Sequence, residues 1–360
     1  MATLYGRTWT RAEILRKIGD ISQVGGVDLV ELQEGRAQGV RAVRFRTGVL
    51  DFTVLAGKCM DVYDFGYRGT PLAWHSPTGV AAAPYLEDSG LRLLRTFQGG
   101  LLMTCGLTTM GAPSVDQGEE LGLHGRVHHL PASNVCVDAR WEGDDYVMWA
   151  EGKVRQAALF GENLVLRRRV TAKLGEAKVL ISDVVENEGY STVPHMILYH
   201  INAGFPLVDE GARLLVSSKV TPRDPDSEKG LADCCRFTAP IPGCAEQVFF
   251  HDVAADAAGL ATAALVNEAF GGGQGLALYV RYPKAQLPVL NEWKMMGEGT
   301  YVVGMEPGNG FVSGRAAERA RGTLQFLEPG ESRHYDLEIG VLASRADIGA
   351  LTAEIEALRP

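Results

Sequence analysis

Between Gly25 and about Glu188 apolar and polar residues alternate in short runs closed by glycine. Val40-Arg41-Ala42-Val43-Arg44-Phe45 and Asp51-Phe52-Thr53-Val54-Leu55 carry the period of two most cleanly, which puts one face of each segment in a core and the other in water. VDLVELQEG, GVRAVRFRTG, LDFTVLAG and MDVYDFGYRG, each ended by glycine, predict successive antiparallel strands. The same texture resumes in VCVDARWEG, DYVMWAEGKV, LVLRRRVTAKLG and AKVLISDVVENEG, a meander with Gly or Asx turns. Helical spacing is confined to the ends. Ile14, Leu15 and Ile18 share a face within Arg11 to Ile18, behind Thr10 as N-cap, and Ala346 to Leu358 closes the chain. The pattern predicts an all-β, mainly antiparallel protein with a few short helices.

The interruptions mark where chemistry belongs. Thr70 to Gly122 is less regular, and its segment PLAWHSPTGVAAAPYLEDSG is rich in Pro, Gly and Ser, the composition of a long loop that has function or covers a pocket. Within it, LRLLRTFQGGLLMTCGL could begin as a helix, but Gly99-Gly100 breaks it and predicts close approach of a backbone or a ligand, with Arg95 beside the kink. Met196 to Tyr199 form an apolar strand that should end at His200. Tyr301-Val302-Val303 form another, which should stop in the Gly304 to Gly310 turn and leave Glu306 at a strand end, a place suited to a general base. Arg167-Arg168-Arg169 reads as a strand with charges flanking its apolar positions. Gly271 to Gly275 reads as a hairpin turn, because it lacks the Lys-Ser/Thr and the following helix of a phosphate loop. RGTLQFL and SRHYDLEIGVL are expected to pair around Glu328 to Glu331.

Composition narrows the function. The 360 residues carry a formal net charge of -9, which argues against nucleic-acid binding, and no segment predicts a membrane span or a signal peptide. A cytoplasmic protein is expected. The six cysteines include the adjacent Cys234 and Cys235 but no CxxC or Cys/His zinc spacing, so they are read as reduced packing thiols. His124, His128, His129 and Arg126 crowd into GLHGRVHHL without an HExxH or facial-triad pattern. Directed hydrogen bonding to a polar small molecule suits them better than a metal.

The segments FQGGLLMTCGL, GLHGR, LFGENLVLRR, YHINAGFPL, EWKMMGEGTYVVGMEPGN and LEPGESRHYDLEI, in this order, resemble the aldose 1-epimerase (galactose mutarotase-like) superfamily, and most strongly its uncharacterised bacterial aldose epimerase-like branch. The resemblance implies one β-supersandwich domain over 1–360, with a helical lead-in over 1–24 and a C-terminal helix over 345–360. It also implies an isomerase that interconverts the α and β anomers of a sugar or sugar acid. In that family a glutamate takes the anomeric hydroxyl proton while a histidine protonates the ring oxygen. Carried over by motif, Glu306 is the base, His200 the acid, and His124 the second site histidine. No metal, nucleotide or other cofactor is implied. Arg95, Arg126, His129, Asp252 and Lys294 are candidate binders of hydroxyl or acid groups, with Trp293 or Trp74 as a platform for a sugar face. HGRVHHLPA and NAGFP depart from the family's usual sequences at substrate-facing loops. The cations Arg126 and Lys294 would suit an acidic sugar. Epimerisation or isomerisation at another carbon, and carbohydrate binding without catalysis, stand as alternatives. A homodimer through an exposed sheet edge is left open.

Overall fold

Alternation becomes pleat across most of the chain. In the computed structural model, which describes residues 1–359, Gly26–Glu31, Arg41–Arg46, Leu50–Leu55, Asp61–Tyr67 and Thr70–Pro71 form a five-stranded antiparallel sheet in sequential order. The first helix, Arg11–Leu15, is shorter than the spacing predicts, and Thr10 caps it reciprocally with Glu13. The last helix covers Arg345–Ala357 and buries Ile348, Leu351 and Ile355.

Two larger antiparallel sheets form the rest of the core, beside two-stranded ribbons of Ala2–Leu4 with Arg7–Trp9 and Ser114–Asp116 with Glu119–Leu121. The eight-stranded sheet holds the long meander Ser133–Glu142, Asp145–Ala157, Asn163–Lys173 and Lys178–Asn187, extended by Ser332–Leu342, Leu276–Pro283, Leu260–Asn267 and Arg213–Leu215. The seven-stranded sheet runs Ser218–Pro222, Gln247–Val253, Val289–Gly297, Thr300–Gly308, Val193–Ala203 and Gln325–Leu327, with Leu102–Leu107 also paired to Val193–Ala203. One apolar cluster joins the sheets: Val43 and Phe52, then Met148, Leu166, Ile181 and Ile339, then Ile197, Ile201, Val303 and Met305. Burial of these side chains supplies the main driving force for the layered packing. In the seven-stranded sheet odd-numbered positions of the His200 and Glu306 strands face this core. The period of two therefore turns His200 and Glu306 to the outer face, where Phe97, Met103, Leu198, Val248, Phe250 and Val312 build a second apolar layer.

Four expectations change. Gly304 and Pro307 do not end the Glu306 strand, which runs to Gly308, and the His200 strand runs on to Ala203. Pairing on both sides overrides the local breakers, and Asn291 Nδ2 ties the carbonyls of Glu306 and Gly310 into the sheet. The strands on either side of Glu328 to Glu331 do not pair with each other: Gln325–Leu327 adds to the His200 strand, whereas Ser332–Leu342 crosses into the other sheet. Helix is not confined to the ends: Arg315–Arg321 is a helix ended by Gly322 at φ 77°. Of the arginine triplet, Arg168 points inward and is fully buried. Its guanidinium bonds Asp183 and Asp61, and Tyr199 donates to Asp183 at 2.7 Å. Gly271 to Gly275 joins two antiparallel neighbours as expected, through a tight turn in which Gly271 and Gly272 hold φ of 63° and 70°.

Candidate active site

Register brings the two principal candidates together. Ile201 pairs with Met305 and Asn202 with Gly304, which sets His200 directly across from Glu306 on the same face. His200 Nε2 lies 3.1 Å from Glu306 Oε1, with both side chains almost fully buried. Gly304 is required here: a Cβ on it would stand 2.4 Å from Glu306 Oε1, so the glycine leaves the space in which the carboxylate lies. Gly99 and Gly100 adopt φ 68° and 84°, and a Cβ on Gly99 would meet the Trp74 carbonyl at 2.6 Å. The paired glycines thus admit another backbone, as the sequence predicted.

The pair forms the floor of a cavity of about 450 Å³ whose walls include Leu94, Phe97, Leu123, Val248, Trp293 and Val312. Trp293 and Phe97 pack on the His200 ring at centroid distances of 5.5 and 5.6 Å. His124 lines the same cavity, its ring 5.4 Å from that of His200. It holds φ 59°, an unusual conformation for a non-glycine residue. Its Nδ1 accepts from Gly111 N–H at 3.3 Å, so the neutral ring carries its proton on Nε2. Arg223 and Glu246 stand at the edge. Arg223 is tied to Glu246 at 2.9 Å and to Asp224 at 2.7 Å, and Trp293 Nε1 donates to Glu246 at 2.9 Å.

Burial governs the protonation of these groups. It lowers His124 to about 4, so this imidazole is neutral at physiological pH. It also drives His200 well below the usual imidazole range, with His124 adding to the effect. Glu306 is pushed well above the usual carboxylate range, first by burial and then by Glu246. Burial therefore favours an uncharged pair, a carboxylic acid beside a neutral imidazole, and Glu306 Oε1 makes no hydrogen bond to the ring it approaches.

The remaining candidates lie elsewhere, each for a local reason. Lys294 follows Trp293 on the strand and so points to the opposite face, where its Nζ donates to the Asp233 carbonyl at 2.7 Å. Asp252 is exposed and ion-paired with Lys284 at 2.6 Å. Arg95 is exposed at the end of a 3-10 turn, Arg92–Arg95. Arg126 pairs with Asp88 and lines a separate polar cavity of about 660 Å³. His129 is buried against His128, away from the cavity. Trp74 supports the wall from behind, edge-on to Trp293 at 6.2 Å. Sequence reading missed Arg223 and Glu246. Both flank strands whose segment gives no local sign of which face its loops will cover.

These sheets define a fold shared with aldose 1-epimerase and galactose mutarotase-like proteins. A candidate aldose 1-epimerase from Klebsiella pneumoniae superposes with TM-score 0.85 at 24% identity, over 98% of this chain and 96% of the other. A galactose mutarotase-like protein from Clostridium acetobutylicum gives 0.60 at 12% identity, over 89% and 99%. A candidate mutarotase from Salmonella typhimurium gives 0.52 at 11%, over 89% and 97%. At these identities the likeness is one of fold. No curated protein matches the sequence. Residues 37–341 match the family described as a domain of unknown function, DUF4432, and the chain belongs to that family.

Proposed function

We propose that this protein is a mutarotase: it interconverts the α and β anomers of a neutral aldose by acid-base ring opening at Glu306 and His200. The observation that carries this reading is the 3.1 Å Glu306–His200 pair on the floor of the cavity. Ring opening needs one group to take the proton of the anomeric hydroxyl while another protonates the ring oxygen, and the roles reverse on closure. A carboxylate with an imidazolium carries the same number of protons as a carboxylic acid with an imidazole. Passing from the resting pair to the reactive one therefore needs no proton from solvent. Sugar hydroxyls entering the cavity supply the hydrogen bonds that favour the carboxylate. Glu306 then acts as base, His200 as acid, and neutral His124 as an Nε2–H donor to the substrate.

Charge supports a neutral substrate in place of an acidic one. Arg126 and Lys294, the cations that would suit an acid group, lie outside the cavity, and Arg223 is already matched by Asp224 and Glu246. Trp293 and Phe97 offer apolar faces to the sugar ring. The test is anomer exchange by NMR on a panel of neutral and acidic aldoses, with native protein, Glu306→Gln and His200→Ala. Accelerated exchange of a neutral sugar that either substitution abolishes is the expected result. No acceleration for any sugar refutes mutarotation; ligand-induced shifts without turnover would then point to binding alone, and conversion to a different sugar to reaction at another carbon.

A further inference from the structure

On the opposite, core-facing side of the same sheet lies a polar cluster that the sugar chemistry does not use. Glu292 is completely buried, and its Oε1 has no hydrogen-bond partner. Its Oε2 is bonded to His251 Nε2 at 3.0 Å, and His251 Nδ1 to Ser218 Oγ at 2.8 Å. Cys234 Sγ and Cys235 Sγ are 3.6 Å apart, and among the described residues these two sulfurs and a Glu292 oxygen make a set of three potential metal ligands all within 4.8 Å of one another. We infer that Cys234, Cys235 and Glu292 bind one divalent cation of the zinc class.

Geometry and charge both favour this reading. Thiolates about 2.3 Å from a tetrahedral ion stand about 3.8 Å apart, close to the separation observed here. The free Glu292 oxygen is the third ligand, while His251 holds the other oxygen and Ser218 fixes the histidine, the outer-shell arrangement that orients ligands in many metal sites. Two thiolates and a carboxylate carry three negative charges; a divalent ion and the Lys294 ammonium balance them. Lys294 bonds the Asp233 carbonyl and thereby holds the turn that presents both cysteines. Cys235 is only half-buried, which leaves solvent for a fourth position and a path of entry. Binding would pin the largely irregular 231–246 segment, which ends at Glu246 on the sugar cavity, to the strand that carries Trp293. The adjacent cysteines show none of the spacing by which zinc sites are read from sequence, because the third ligand arrives on a distant strand.

The test is cobalt(II) titration of full-length protein purified without metal-affinity steps, read by the sulfur-to-cobalt charge-transfer band, followed by zinc competition. One equivalent with tetrahedral d–d absorption is expected. The band should vanish in the Cys234→Ser/Cys235→Ser variant, and Glu292→Gln should weaken binding. His251→Ala should weaken it about 10- to 100-fold. Glu306→Gln should bind cobalt as the native protein does, so the result is independent of the mutarotase reading. The inference is overturned if native protein takes up no more cobalt than the double-serine variant, or if zinc fails to compete. It is equally overturned if Cys234 and Cys235 are recovered as a disulfide that excludes metal. Should the double variant not fold, native stoichiometry and Glu292→Gln affinity decide.

Discussion

Gly304→Ala puts the placement of the Glu306 carboxylate to a direct test. The added methyl would meet Glu306 Oε1 at 2.4 Å and Trp293 Cβ at 3.1 Å. Ordinary contact begins at 3.4 Å, so the carboxylate must retreat by about 1.0 Å (3.4 − 2.4). The atom displaced is the one 3.1 Å from His200 Nε2. Misplacement of about 1 Å at a reacting group can lower a rate about 100-fold, or about 2.7 kcal/mol of barrier. The backbone of Gly304 is not in the left-handed region, so alanine carries no conformational penalty there, and its lower unfolded-state entropy offsets part of the clash. The expected result is a loss of about 100-fold in the anomer exchange rate with a small change in Tm. The assay is NMR exchange on the responding sugar beside a thermal melt. A variant that folds and exchanges within about threefold of native would refute the claim that this carboxylate position matters, whereas Glu306→Gln measured in parallel shows whether the group is needed at all.

Three further outcomes follow from the same geometry. Exchange rate against pH should be bell-shaped, because acid adds a second proton to the Glu306–His200 pair and removes the base, and alkali strips the pair and removes the acid; a flat profile from pH 4 to 9 would contradict acid-base action by the two groups. Burial depresses His124 and His195 to about 4 and His129 to about 3, so these groups stabilise the fold fully above the unfolded histidine value near 6.5 and lose that contribution as pH falls. Urea melts between pH 6 and 4.5 should show stability falling with pH, the histidines outweighing the buried carboxyls Glu306 and Asp61, whose raised pKa acts in the opposite sense; stability that rises as pH falls through this range would mean that the imidazoles are not buried when neutral. Asp183→Asn should cost about 3–5 kcal/mol by chemical denaturation, since it removes one partner from the fully buried Arg168; a loss below about 1 kcal/mol would place that arginine in water.

Period-two alternation identified the meander strands and the all-β class from sequence alone, because a strand half in a core must alternate whatever its partners are. Glycine and proline were less dependable. Gly99-Gly100 does admit a backbone, but Gly304 and Pro307 interrupt nothing, since cross-strand bonds on both sides outweigh a local preference for a turn. The residue types at His200, Glu306 and His124 were legible from their motifs. That the first two touch was decided by the register of strands more than 100 residues apart, which no local pattern encodes. Tertiary structure alone also sent Lys294 to the core side beside Glu292, left Trp293 on the cavity side one residue away, and brought Arg223 and Glu246 to the edge of the cavity. Facing follows from parity once a register is set, and only the packing of the sheets sets it.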